Sequence, residues 1–193
     1  MLQADSFSFQ GTFLTDDQVQ LFNFTLASDA TVTLHSFGYA GGTNAANTAI
    51  PAGGFDTEFT WFAADGAQIS SNDDGGCGNV GTFHGACLDA FAQPFLTAGT
   101  YTLALTESGN DPNGNLSDGF SQQGNGDFTA NGTCTAFCDV FNNTDNGNWA
   151  MDISNVDSAV SLNAIPEPVT LLLTGSGLVL IGLVRRRGAG CKH

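Results

Sequence analysis

Residues 19–26, VQLFNFTL, and residues 100–107, TYTLALTE, decide the fold. In the first, Phe22, Phe24 and Leu26 alternate with Asn23 and Thr25; in the second, Tyr101, Leu103 and Leu105 alternate with Thr102, Ala104 and Thr106. A period of two puts one set on a buried face and the other on the opposite face of a β-strand. Working outward, the same pattern returns at 7–13 (FSFQGTF), 30–37 (ATVTLHSF), 57–63 (TEFTWFA), 91–96 (FAQPFL) and 148–156 (NWAMDISNV). Gln93-Pro94 marks an edge or a bulge, because proline cannot donate to a ladder. Ala98-Gly99-Thr100 reads as a tight turn between strands. No stretch of ten residues before position 169 has an amphipathic helical pattern. The chain therefore predicts seven to nine short strands in an all-β, two-layer antiparallel β-sandwich with jelly-roll-like connectivity, followed by one C-terminal transmembrane helix. Sixteen Phe residues supply most of its core.

Charge narrows the partners. The chain has 19 Asp and Glu against 4 Lys and Arg, and all four basic residues (Arg185, Arg186, Arg187, Lys192) lie at its very end. Nucleic acid is excluded as a partner, since nothing in the main domain can displace phosphate counterions. Each acid there must be solvated, hydrogen-bonded to backbone amides, or bound to a metal ion. Three long loops separate the strands: 38–55, 72–85 and 109–133. Four cysteines occupy the domain. The local pairs Cys77–Cys87 and Cys134–Cys138 are expected as disulfides closing small loops, which fits an oxidising compartment. The rivals are free thiols and a zinc site built from Cys77, His84, Cys87 and one more ligand, although these spacings match no common zinc pattern.

Asn72-Asp73-Asp74-Gly75 and residues 111–118 (DPNGNLSD) offer dense oxygen donors on glycine-rich turns. Calcium takes six to eight such oxygens. Asp56, Asp73 and Asp74 are the candidate calcium ligands and Ca2+ the candidate cofactor. Asx-turns account for the same residues without an ion. Trp61 and Trp149 sit in strands and are expected in the core. Tyr39, in its loop, is the candidate exposed aromatic for ligand binding. No GxSxG or HExxH motif occurs, and no catalytic residue is assigned; the protein is read as a non-enzyme.

The C-terminus carries Pro166-Glu167-Pro168, then the uncharged apolar stretch 169–184, then Arg185-Arg186-Arg187. A helix over 169–184 would span roughly 24 Å, against about 30 Å of hydrocarbon. The arginines would stay cytoplasmic and the preceding domain would lie outside. These three parts, in this order, resemble the PEP-CTERM sorting signal of Gram-negative bacteria. The resemblance implies recognition by an exosortase, with the chain exported as an inner-membrane-anchored precursor and then moved to the cell surface or extracellular matrix. The opening MLQADSFSF has no basic or apolar leader, so residues 1–4 are read as the remnant of a truncated N-terminus. Residues 5–158 are the exported domain, 159–168 a linker, 169–184 the helix and 185–193 a cytoplasmic basic tail.

The words YAGGTNAA (39–46), GGFD (53–56), NDDGGCGN (72–79), AGTYTLALT (98–106), NLSDGF (115–120) and GNWAMDI (147–153) resemble a family of exported bacterial β-sandwich proteins of unknown function. They are also loosely similar to prepeptidase C-terminal domains, some of which bind calcium. The combined expectation is an exosortase-sorted surface or biofilm-matrix protein with a structural or adhesive acidic sandwich. The alternative is a carbohydrate-binding module that ties the protein to exopolysaccharide.

Overall fold

Each of the seven alternating stretches contains at least one strand. A computed structural model describes residues 5–162. The strands are β1 (Asp5–Thr12), β2 (Gln20–Leu26), β3 (Ala30–Thr31), β4 (Thr33–Ser36), β5 (Gly42–Thr43), β6 (Ala49–Ile50) and β7 (Thr57–Phe62). β8 (Gln68–Asn72), β9 (Phe91–Ala92), β10 (Phe95–Leu96), β11 (Gly99–Glu107), β12 (Asn148–Val156) and β13 (Ser158–Leu162) follow. The one helical element among the described residues is a 3-10 turn at Leu116–Asp118.

Two larger antiparallel sheets dominate. One has the order β1-β12-β4-β9 and the other β13-β2-β11-β7-β8; β3 with β10, and β5 with β6, form two-residue ribbons. The two decisive stretches are neighbours: Phe24 stands opposite Tyr101 and Phe22 opposite Leu103. Their alternation therefore delivers Phe22, Phe24, Tyr101, Leu103 and Leu105 to one core, with Phe59 and Trp61 of β7. The four-stranded sheet sends Leu34, Trp149, Met151 and Ile153 into the same core. Burying each such side chain contributes about 1.5–3 kcal/mol. Trp61 and Trp149 are buried, as their strand positions predict.

The long loop 109–133 is not loose. Its Phe120 and Leu116 pack on Phe62 and Ala104, which point out of the far face of the five-stranded sheet. Asp16 ties the loop down by accepting hydrogen bonds from the Phe128 and Thr129 amides (2.8 and 2.9 Å).

Several boundaries differ from expectation. The stretch 30–37 breaks between β3 and β4, where the Val32 amide turns to the Pro94 carbonyl. Pro94 itself interrupts 91–96, leaving β9 and β10 on different sheets. β8 (QISSN) has no apolar alternation because it is an exposed edge strand. Residues 159–162, expected to begin a linker, instead belong to β13, which pairs with β2 from Ser158↔Thr25 to Leu162↔Leu21. Its run SAVSL presents few large apolar side chains, so alternation gave no warning of it. Among the described residues no helix is long and apolar enough to cross a membrane. The expected sorting motif, apolar span and basic tail lie outside the described residues.

Candidate metal-binding face

Strand pairing brings three acidic segments to one end of the five-stranded sheet. β7 runs antiparallel to β8, with Phe59 opposite Asn72. The residue before β7, Asp56, therefore meets Asp73 and Asp74, which follow β8. β7 also runs antiparallel to β11, with Thr57 opposite Glu107. The Asp56 carbonyl accepts a hydrogen bond from the Ser108 amide (2.9 Å). A parallel bridge between Gly54 and Asn146 carries Asp145 to the same region. Gly54 is needed here: a Cβ would run into the Asn148 carbonyl oxygen and the Gly38 backbone.

Three buried acids on this face have found backbone donors. Asp89 accepts from the Ser36 hydroxyl and the Tyr39 and Ala40 amides (2.9, 3.1 and 2.8 Å). Asp16 adds the Thr129 hydroxyl to its two amides (2.6 Å). Asp139 accepts from the Phe141 and Asn143 amides, the Asn143 side-chain amide and the Tyr39 hydroxyl (2.9, 2.8, 2.8 and 3.1 Å). Three acids remain orphaned. Asp56 Oδ1, Glu107 Oε2 and Asp145 Oδ2 are buried with no hydrogen-bond partner among the described residues. Their residues are 6%, 1% and 9% exposed. An unpaired buried carboxylate is among the costliest groups a fold can hold, and residues 5–162 contain no Lys or Arg to compensate it.

The electrostatics follow from that crowding. Burial, then the charges of Asp73, Asp74, Asp89 and Asp139, push the Asp56 carboxyl up to about 9. Burial raises Asp73 and Asp74 too, with Asp74 adding to the shift of Asp73. Glu58, buried beside Asp111 and Asp73, is pushed up to about 7. Burial also pushes Asp145 up, to about 7, with Asp139 adding and His84 opposing. In Asp139 burial acts upward, but the Asn143, Phe141 and Tyr39 donors outweigh it and hold the carboxyl below its ordinary value.

Ligand-type atoms of Asp56, Asp73 and Asp74 lie within 4.8 Å of one another. These are the three residues expected from the sequence to bind calcium. The other oxygen-rich segment, 111–118, adds no carboxylate to this group: Asp111 lies beside Glu58, and Asp118 accepts from the Asn115 amide (2.9 Å). Among the described residues one further group meets the same criterion, His84 with Asp139 and Asp145.

Both expected disulfides are present, Cys77–Cys87 and Cys134–Cys138. The rival zinc site of Cys77, His84 and Cys87 is therefore excluded, since its thiolates are consumed in the disulfide. Tyr39 requires a second correction. It is fully buried rather than exposed. Its loop folds back so that the Tyr39 carbonyl receives the Gly53 amide (3.0 Å), and Phe83 packs edge-on against its ring at 5.5 Å. Its hydroxyl serves Asp139, not an external ligand.

Glu107, Asp139 and Asp145 were not singled out from the sequence. Glu107 had a signal: it continues the row Tyr101, Leu103 and Leu105, so a carboxylate falls on the core side of its strand. Asp139 and Asp145 lie in a loop without periodicity and gave none. No protein-family model matches this chain, and no curated protein matches it.

Proposed function

We propose that this is an exported, non-enzymatic surface or matrix protein whose acidic domain is a jelly-roll β-sandwich organised by calcium. The observation that carries the calcium reading is the buried, unpartnered Asp56 Oδ1, set among the carboxylates of Asp73 and Asp74. Hard oxygen donors of this kind suit Ca2+, and a cation supplies the charge that the residues around it lack. Strand order supports the jelly roll. Numbering the nine strands of the two larger sheets in chain order, the sheets read 1-8-3-6 and 9-2-7-4-5, a jelly roll with one additional edge strand. Two disulfides support residence in an oxidising compartment. Pro166-Glu167-Pro168, the apolar stretch and Arg185–Arg187 support exosortase sorting through a membrane-anchored precursor.

Thermal melts of the protein, disulfides intact, in calcium and in EDTA test the calcium reading. Calcium at 100-fold its dissociation constant contributes about 2.7 kcal/mol, or a Tm rise of about 5–10 °C. Asp73→Asn abolishes the rise. An unchanged Tm for the unmutated protein overturns the reading.

A carbohydrate-binding role is the second reading, and Tyr39 does not carry it. A pocket of about 370 Å3, lined by Gln10, Thr12, Ile50, Pro51, Asn148 and Trp149, favours it instead. Side-chain amides from Gln10 and Asn148 and the Thr12 hydroxyl are groups with which proteins hold sugars. Retention on the native exopolysaccharide, lost on Asn148→Ala, is the corresponding test.

A further inference from the structure

We infer that His84, Asp139 and Asp145 form a second metal site, separate from the Asp56 group and built for a first-row divalent cation of the zinc type. The donor set differs in kind from the calcium candidate. Calcium takes oxygen, whereas an imidazole nitrogen suits zinc, cobalt, nickel or copper.

The spacing is that of ligands around a shared ion. His84 Nδ1 lies 3.5 Å from Asp139 Oδ2 and 3.8 Å from Asp145 Oδ1. Both distances exceed a hydrogen bond of about 2.7–3.2 Å. Two ligands at zinc bond lengths of about 2.0–2.1 Å stand roughly 3.4 Å apart along a tetrahedral edge. Asp145 supplies the second pointer to a ligand: its side chain is 1% exposed, and its Oδ2 has no hydrogen-bond partner among the described residues.

The surroundings resemble a supported site. Ligating carboxylates are normally themselves hydrogen-bonded, which fixes their aim. Asp139 is held by Tyr39 and Asn143 side chains and two amides. His84 sits with Gly85 at the centre of a tight turn closed by reciprocal Phe83–Ala86 hydrogen bonds (2.9 and 2.8 Å). Both central residues have positive φ, 48° and 87°. The Cys77–Cys87 disulfide closes the loop that presents His84, and Cys134–Cys138 ends next to Asp139. Each disulfide thus braces one half of the donor set. The His84 side chain remains 34% exposed, giving an ion access from solvent.

Cobalt(II), which absorbs in the visible where zinc does not, is the probe. It is titrated into the full chain, purified in mild detergent with both disulfides formed and saturated with calcium. The expected result is one bound equivalent with a d–d band stronger than that of hexaaqua cobalt. His84→Asn keeps a residue type that tolerates positive φ, so it preserves the fold. It weakens cobalt binding at least tenfold and removes the band, as does Asp145→Asn. Tyr39→Phe weakens binding about tenfold through the aim of Asp139. Asp73→Asn abolishes the calcium-dependent Tm rise but keeps the one-equivalent cobalt stoichiometry and the band, which separates this site from the calcium candidate. Equal cobalt affinity in the unmutated chain and His84→Asn overturns the inference, as does a band that survives the substitution.

Discussion

Glu107 ends a core-facing row on β11, 1% exposed and with Oε2 unpartnered among the described residues. Burial raises its carboxyl well above 4.5, and the charges of Asp56, Asp16, Asp145 and Asp73 raise it further. Both effects favour its protonated form in the folded protein. A group whose folded pKa is raised contributes fully below its unfolded value of 4.5, and that contribution is lost as pH rises through the folded value. At pH 7 the unfolded chain stands about 2.5 units above that value, and each unit is worth about 1.4 kcal/mol. The burden on the folded state at pH 7 therefore has a ceiling of about 3.5 kcal/mol. Glu107→Gln keeps the shape and removes the proton requirement. In EDTA it is expected to stabilise the protein at pH 7 by up to about 3.5 kcal/mol, raising Tm by up to about 7–14 °C. At pH 4 the gain vanishes, because Glu107 is protonated in both states. Circular-dichroism melts at pH 4, 5.5 and 7, at fixed ionic strength, measure it. A variant less stable than the parent at pH 7, or a gain independent of pH, would refute the reasoning.

Two further outcomes follow from the packing. Gly54→Ala drives a methyl group into the Asn148 carbonyl and the Gly38 backbone and is expected to cost about 2–3 kcal/mol, read as a fall in Tm. Replacing Cys77 and Cys87 together by Ser opens a loop with a sequence separation of 10 and is expected to cost about 2–3 kcal/mol in denaturant titration. The same change should abolish cobalt binding through His84 while the calcium-dependent Tm rise persists.

What could be read in the sequence depended on how local its cause was. Alternation in VQLFNFTL and TYTLALTE is a property of neighbouring residues, so it identified β2 and β11 and the faces they bury. It missed β8 and β13, whose side chains bury too little for a period to show. The two disulfides close short loops and were legible for the same reason. Absence of Lys and Arg from the domain dictated that its acids would need amides, water or ions. The sequence also nominated Asp56, Asp73 and Asp74, which the antiparallel pairing of β7 with β8 brings together.

Tertiary structure alone decided which acids are satisfied and which are stranded. Asp16, Asp89 and Asp139 look no different from Asp145 in the sequence. Asp16 finds the Phe128 and Thr129 amides, and Asp89 the Ser36 hydroxyl and the Tyr39 amide, across loops whose paths depend on distant strand pairings, while Asp139 takes the Asn143 amide within its own loop. The burial of Tyr39 and the meeting of His84 with Asp139 and Asp145 have the same origin. Periodicity specifies a strand and its faces, but a loop side chain's neighbours are set only once the sheets have closed around their core.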